Sequence, residues 1–350
     1  MLAYPKQLAD VLAGAALPAH ASSFFGDGGF LANVYAADPR LSQTANTSDW
    51  VVTFLPTVGG YPLANVTSTT TLSFAPADPF DTVDVYDIAI PERAVFGIAF
   101  DGNVPTLSVL APPPGSALAV RRSTARVSLG NHMVGITPAS RGATIAGTVL
   151  IGIDTFDSTR KDAAVWNLGW SGSQTSDWAG GAQPYAPLAV LKQLAPQVTI
   201  INLGINDMGQ RVSPESYRAN LQKIIEAVRS VGDVILVVPN RFEPAAVSDA
   251  TQDAFAAVLS DLSKQYDLPL LNLAKVLGTF SEAKAAGFMT DGVHPSAKGG
   301  PRGPSRQRLS RAPRPSTGSR LTAEKQTLGR RRMRLPGLSR IANGSITTRC

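Results

Sequence analysis

Residues 198–207 read VTIINLGIND, and residues 234–238 read VILVV. Both are short, β-branched and apolar without alternation, the pattern of strands buried on two faces. Between them Ser213 and Pro214 open a helix, serine as cap and proline in the first turn. Its apolar face is Tyr217, Leu221, Ile224, Ile225 and Val228, and Gly232 stops it. A second amphipathic helix spans 250–266, with Phe255, Leu259, Leu262 and Tyr266 on one side, and a third apolar run follows at 270–273. Strands separated by amphipathic helices predict a parallel sheet covered on both faces. Ligands of such sheets bind beyond the carboxyl ends of the strands, so the loops after these runs carry the functional reading.

Working outward, the same texture holds over residues 1–22 and 143–298. Tyr4, Leu8, Val11, Leu12 and Ala15 recur at helical spacing, with Pro5 in the first turn. The run 144–153 is predicted as a strand, 165–167 as a short strand, and 188–194 as a helix ended before Pro196. Residues 30–142 read instead as all-β. Strands are predicted at 69–74, 82–88, 96–100, 117–127 and 132–136, divided by turn signals at 76–79, 101–103 and 112–115. Such spacing predicts a jelly roll or sandwich, inserted into the α/β unit. Its role is a carbohydrate-binding module, a lid or a structural insertion.

The chain has 350 residues and a net charge of +6, but the charge is unevenly placed. Residues 301–350 hold twelve arginines, Lys325 and the single acid Glu324, a net +12. The first 300 residues, with 19 basic and 25 acidic groups, carry −6 and have no nucleic-acid footprint. The stretch 299–350 is rich in Arg, Pro, Ser and Gly and has no apolar period. It is a shifted reading frame in the first reading, a disordered tail or a basic arm in the others. One cysteine, Cys350, excludes an internal disulfide framework, and no apolar run is long enough for a membrane span. Residues 1–17 lack the pattern of a signal peptide. The compartment stays open, a secreted or cell-surface protein among the options.

Three loops carry chemistry. Gly204-Ile205-Asn206-Asp207 follows the first quoted strand, Asn167-Leu168-Gly169-Trp170-Ser171-Gly172 follows the strand at 165, and Asp291-Gly292-Val293-His294-Pro295 lies near the end. Singly, each reads as an ordinary turn or solvated loop. Together, each at a strand end, they resemble the SGNH (GDSL-like) hydrolases over residues 1–22 and 143–298. The resemblance implies a three-layer flavodoxin-like α/β fold and serine ester hydrolysis without cofactor or metal. His294 would be the base and Asp291 its orienter, with Gly172 and Asn206 as oxyanion donors. Small acyl esters, acetylated glycans above all, would be the substrates.

The family's Gly-Asp-Ser block is absent from the sequence. The nearest match, Gly26-Asp27-Gly28, lacks the hydroxyl. Because family members place a helix like Tyr4-Pro5-Lys6-Gln7-Leu8-Ala9 soon after the serine, a serine upstream of Met1 is expected, and the chain as written is expected to be inactive and of low stability. The alternative is a non-catalytic carbohydrate-binding protein on the same scaffold. No phosphate loop and no zinc-spaced Cys/His cluster is present. Of the other histidines, neither His20 nor His132 has a carboxylate at useful spacing in the sequence.

Overall fold

The structure is a computed structural model that describes residues 4–26, 40–43, 49–53, 55–65, 69–93, 95–141, 144–145 and 147–296. The segments read as a basic tail, 299–350, and as the Asp27-Gly28 part of the serine-block match lie outside them.

The quoted strands pair as expected. Val198–Ile201, Asp233–Val238 and Leu270–Asn272 form a parallel sheet in that order. The helix Pro214–Arg229 is capped by Ser213, whose hydroxyl accepts from the Ser216 amide. Asp249–Tyr266 is capped in the same way by Ser248. One face of the sheet (Ile201, Leu203, Val234, Leu236) packs on Tyr217, Leu221, Ile224 and Phe255. On the other face Val198 and Leu271 are exposed and Ile200 and Ile235 half-buried. A second parallel pairing, Ala19–His20 with Ala163–Ala164, follows the first helix, Tyr4–Gly14. The strand expected at 165–167 thus falls two residues earlier.

Of the remaining strands, Ser140–Arg141 pairs antiparallel with Thr144–Ile145, and the others build two larger antiparallel sheets. In the first, Ala119–Gly130, Phe80–Ala89, Thr148–Phe156, Leu63–Asn65 and Val51–Val52 lie side by side, with Phe24–Phe25 also on Thr148–Phe156. In the second the order is Leu41–Gln43, Leu72–Phe74, Val134–Pro138, Phe96–Phe100 and Leu107–Val109. Phe74, Phe80, Val83, Val85, Ile98 and Ile136 form a core from both sheets.

One expectation is corrected here. The run 144–153 was expected to join the parallel sheet, but its strand, Thr148–Phe156, pairs antiparallel with Phe80–Ala89. The reason is its two buried faces. Leu150 and Ile153 turn to the core between the antiparallel sheets, while Val149 and Ile151 join the core of the helices and the parallel sheet. Tyr86 and Ile88 of the neighbouring strand do the same, opposite Val83 and Val85. A strand between two cores shows no polar alternation over 149–153, just as a parallel strand shows none.

Candidate active site

The strand Asp233–Val238 ends at Asn240, a buried residue whose amide donates to the Val293 carbonyl at 3.0 Å. The Glu243 amide donates to the Gly292 carbonyl at 2.9 Å. These bonds fix the loop of Asp291 and His294 at the carboxyl end of the strand. Within the loop, Met289 bridges Pro295, and the Thr290 amide and hydroxyl both donate to the His294 carbonyl, at 2.8 and 2.9 Å. Asp291 Oδ1 accepts the Val293 amide at 2.8 Å and the His294 amide at 2.7 Å, and Oδ2 lies 2.8 Å from His294 Nδ1. The His294 amide, its ring and the Val293 amide hold the Asp291 carboxyl down at about 2, so it is ionised at neutral pH. An ionised acceptor at Nδ1 favours the proton there and leaves the lone pair on Nε2. Among the described residues Nε2 has no hydrogen bond, and the His294 side chain is 46% exposed.

The neighbouring strand, Val198–Ile201, leads through Leu203 to Gly204, whose φ of 124° lets the chain turn into the short helix Ile205–Gly209. Asn206 stands half-buried in its first turn and donates its amide to the Ser173 carbonyl at 2.9 Å. Gly172 precedes Ser173, exposed and with φ of 78°. Asp207 is fully buried and accepts the Thr175 amide at 3.1 Å and its hydroxyl at 2.5 Å. Asn220 adds a bond to the Thr175 hydroxyl at 3.2 Å. Burial pushes the Asp207 carboxyl up, and the Thr175 donors pull against it. Asp207, Thr175, Asn220 and Asn240 were not singled out from sequence. Asp207 was visible inside the quoted motif, and Asn240 stands directly after a buried strand, where such residues collect.

The structure therefore joins Asn206 to the Gly172 loop and His294 to Asp291. Among the described residues no hydrogen bond joins the two sets; they share the carboxyl ends of two paired strands. Among the described residues no serine hydroxyl bonds His294. Ser22 donates to Asp78 at 2.7 Å and Ser173 to the Trp170 carbonyl at 3.0 Å.

His132, which has no carboxylate at useful spacing in the sequence, meets one across the fold. Its Nδ1 lies 2.6 Å from Asp101, and its Nε2 lies 2.8 Å from the Ser128 carbonyl. Asp101 is too distant in sequence for spacing to reveal the pair. Both ring nitrogens are occupied, so this histidine is a tie between turns and not a free base.

Residues 154–300 match the model of the GDSL-like lipase/acylhydrolase family. Over 111 residues the chain is 30% identical to thioesterase 1/protease 1/lysophospholipase L1 of Escherichia coli (strain K12), a match covering 31% of this chain and 50% of that protein. The protein of the same name from Escherichia coli O6:H1 matches equally. The chain thus spans about half the length of the curated relatives it matches. A solved structure of a peptidoglycan O-acetylesterase shares the fold at a TM-score of 0.63 and 15% identity, over 88% of this chain and 85% of that one. The family match thus lies over residues 154–300, and the fold is shared with a solved esterase over most of the chain.

Proposed function

We propose that this site belongs to a carboxylic-ester hydrolase, in which His294 Nε2 takes the proton of a serine hydroxyl. Asp291 holds the imidazole by Nδ1 and stabilises its cation. The oxyanion of the tetrahedral intermediate is met by the Asn206 side-chain amide and the Gly172 N–H. The observation that carries this reading is the His294–Asp291 pair at 2.8 Å with Nε2 unblocked, on a loop at the carboxyl end of the strand beside that of Asn206. The nucleophile is a serine outside the described residues. The sequence holds no Gly-Asp-Ser, so the 350-residue chain is read as unable to form the acyl-enzyme.

The substrates are small acyl esters, with O-acetyl groups on a glycan preferred. Support comes from the fold shared with a peptidoglycan O-acetylesterase. The test compares the 350-residue chain with a version carrying an added N-terminal strand that ends in Gly-Asp-Ser, on p-nitrophenyl acetate and on O-acetylated peptidoglycan. Acetate release by the extended chain, lost by a factor of roughly 10³ or more in His294→Ala, is expected. Activity that survives His294→Ala in the extended chain sinks the assignment.

The absent Gly-Asp-Ser favours one alternative, a carbohydrate-binding protein on the same scaffold. Glycan binding by the extended chain without any turnover supports that alternative.

A further inference from the structure

The strands Phe80–Ala89 and Thr148–Phe156 place two carboxylates directly opposite each other, Asp84 against Asp154. Asp84 is 2% exposed and Asp154 4%. Like charges in that position repel, and more so without water. Among the described residues one cation, Arg122, faces them. From the third strand, Ala119–Gly130, Arg122 lies 2.5 Å from Asp84 Oδ2, while the Thr124 hydroxyl donates to Asp84 Oδ1 at 2.5 Å. Asp84 is thereby satisfied on both oxygens. Asp154 is not: Trp166 Nε1 donates to Oδ2 at 3.1 Å, and the buried Oδ1 has no hydrogen-bond partner.

The surroundings decide the occupant. Asp84, Arg122 and Tyr86 are the charged and titratable groups that act on Asp154, and burial and the two carboxylates push the Tyr86 phenol up, so it stays neutral. One guanidinium and two carboxylates leave one negative charge in an apolar setting. A metal ion would meet Arg122, and among the described residues no group of three His, Cys, Asp or Glu could hold one. A proton removes the charge at least cost.

We propose that Asp84 and Asp154 form a proton-holding carboxyl pair, and that gain or loss of its proton changes the setting of the Trp166 indole, which donates to Asp154 where it packs on the antiparallel sheet. The pair sits where that coupling is felt. The Phe25 ring lies 5.5 Å from Tyr86 and 5.5 Å from Trp166, filling the joint between the antiparallel sheet and the segment 165–170. That segment runs into the Gly172 loop, and the Gly59 amide holds its Leu168 carbonyl at 2.5 Å. Burial, then repulsion from Asp84, pushes the Asp154 carboxyl up to about 7, against the pull of Trp166 and Arg122. The folded chain therefore holds a proton that the unfolded chain has lost. Stability from this group is full below the ordinary carboxylate range, declines as pH rises, and levels off above about 7.

The test is chemical unfolding of the full 350-residue chain and of Asp154→Asn between pH 5 and 8, with Trp fluorescence read on the native state. The folding constant of the natural chain is expected to fall about a hundredfold more across that window than that of Asp154→Asn. A pH-dependent shift of native Trp fluorescence is expected to vanish in the variant. Equal pH slopes in the two proteins overturn the proposal. Should Asp154→Asn fail to fold, infrared spectroscopy of the natural chain decides: a protonated-carboxyl band lost near neutrality supports the pair, and its absence at pH 5 overturns it. Stabilisation by calcium at pH 8, absent in Asp154→Asn, also overturns it in favour of a cation site.

Discussion

Asn206 donates to the Ser173 carbonyl at 2.9 Å, and Asp207 beside it accepts both donors of Thr175. Two consecutive residues of the short helix Ile205–Gly209 thus grip Ser173 and Thr175, just past the Gly172 loop. The candidate oxyanion donors, Asn206 and Gly172, owe their relative position to this grip. Its energetic centre is Asp207, because a fully buried carboxylate with no donors would be very costly, whereas here each oxygen is met.

Asp207→Ala is expected to cost about 1–3 kcal/mol, since it strands the Thr175 amide and hydroxyl in the interior. Asp207→Asn retains an acceptor and should cost less. Urea unfolding of the three proteins checks the order. Equal stability of Asp207→Ala and the natural chain would show that the grip is replaced by water.

The pair of His132 and Asp101 gives a pH signature of its own. The hydrogen bond to Asp101 raises the His132 pKa, and the Met133 amide, then His132, lowers that of Asp101. A raised histidine stabilises fully below its unfolded value, about 6.5, and the benefit is lost as pH rises through the folded value. The lowered aspartate stabilises above about 3.9, and that benefit is lost as pH falls through its folded value. A double-mutant cycle of His132→Gln and Asp101→Asn should therefore show coupling near pH 5.5 that shrinks by pH 9. Coupling of the same size at both values would refute an ionic pair.

The parallel strands and their helices are legible in the sequence because period, cap and stop agree: Ser213 with Pro214 at one end and Gly232 beyond the other. The helix Asp249–Tyr266 begins within one residue of its expected start. Thr148–Phe156 shows what period alone cannot give, since the apolar run fixes a buried strand but not its partners. The short helix Ile205–Gly209 lies in a motif that reads singly as a turn, and Thr175–Ala179 is not visible in the sequence at all, because five residues offer too little period to see. In the candidate site, the three-residue spacing of Asp291 and His294 is local and readable. The contact of Asp207 with Thr175 spans 32 residues, and nothing in either stretch announces it.

Asp291 orders its loop chiefly through backbone amides. Asp291→Ala should speed hydrogen exchange at the Val293 and His294 amides by tenfold or more at a fixed pH, since both lose their acceptor. The sign of the pH dependence follows from the lowered carboxyl. Its contribution is present above the ordinary carboxylate range and is lost as pH falls through about 2. Protection in the natural chain should therefore persist at pH 3. Exchange equally fast in both proteins at neutral pH would mean that Met289–Pro295 bridging alone orders the loop.

Gly204 carries the turn between the strand Val198–Ile201 and Asn206. Its φ of 124° is strained for any residue with a side chain, and an added Cβ would stand 2.6 Å from the Tyr217 hydroxyl. That hydroxyl cannot easily yield, because the tyrosine is fully buried and donates to the Leu203 carbonyl at 2.7 Å. Gly204→Ala is therefore expected to destabilise by about 1–3 kcal/mol through crowding, with backbone strain in addition. The double variant Gly204→Ala, Tyr217→Phe removes the atom nearest the clash but also the bond to Leu203. If crowding dominates, the double variant loses less than the sum of the two single changes. If strain dominates, the losses add, and the turn rather than the tyrosine sets the requirement for glycine beside Asn206.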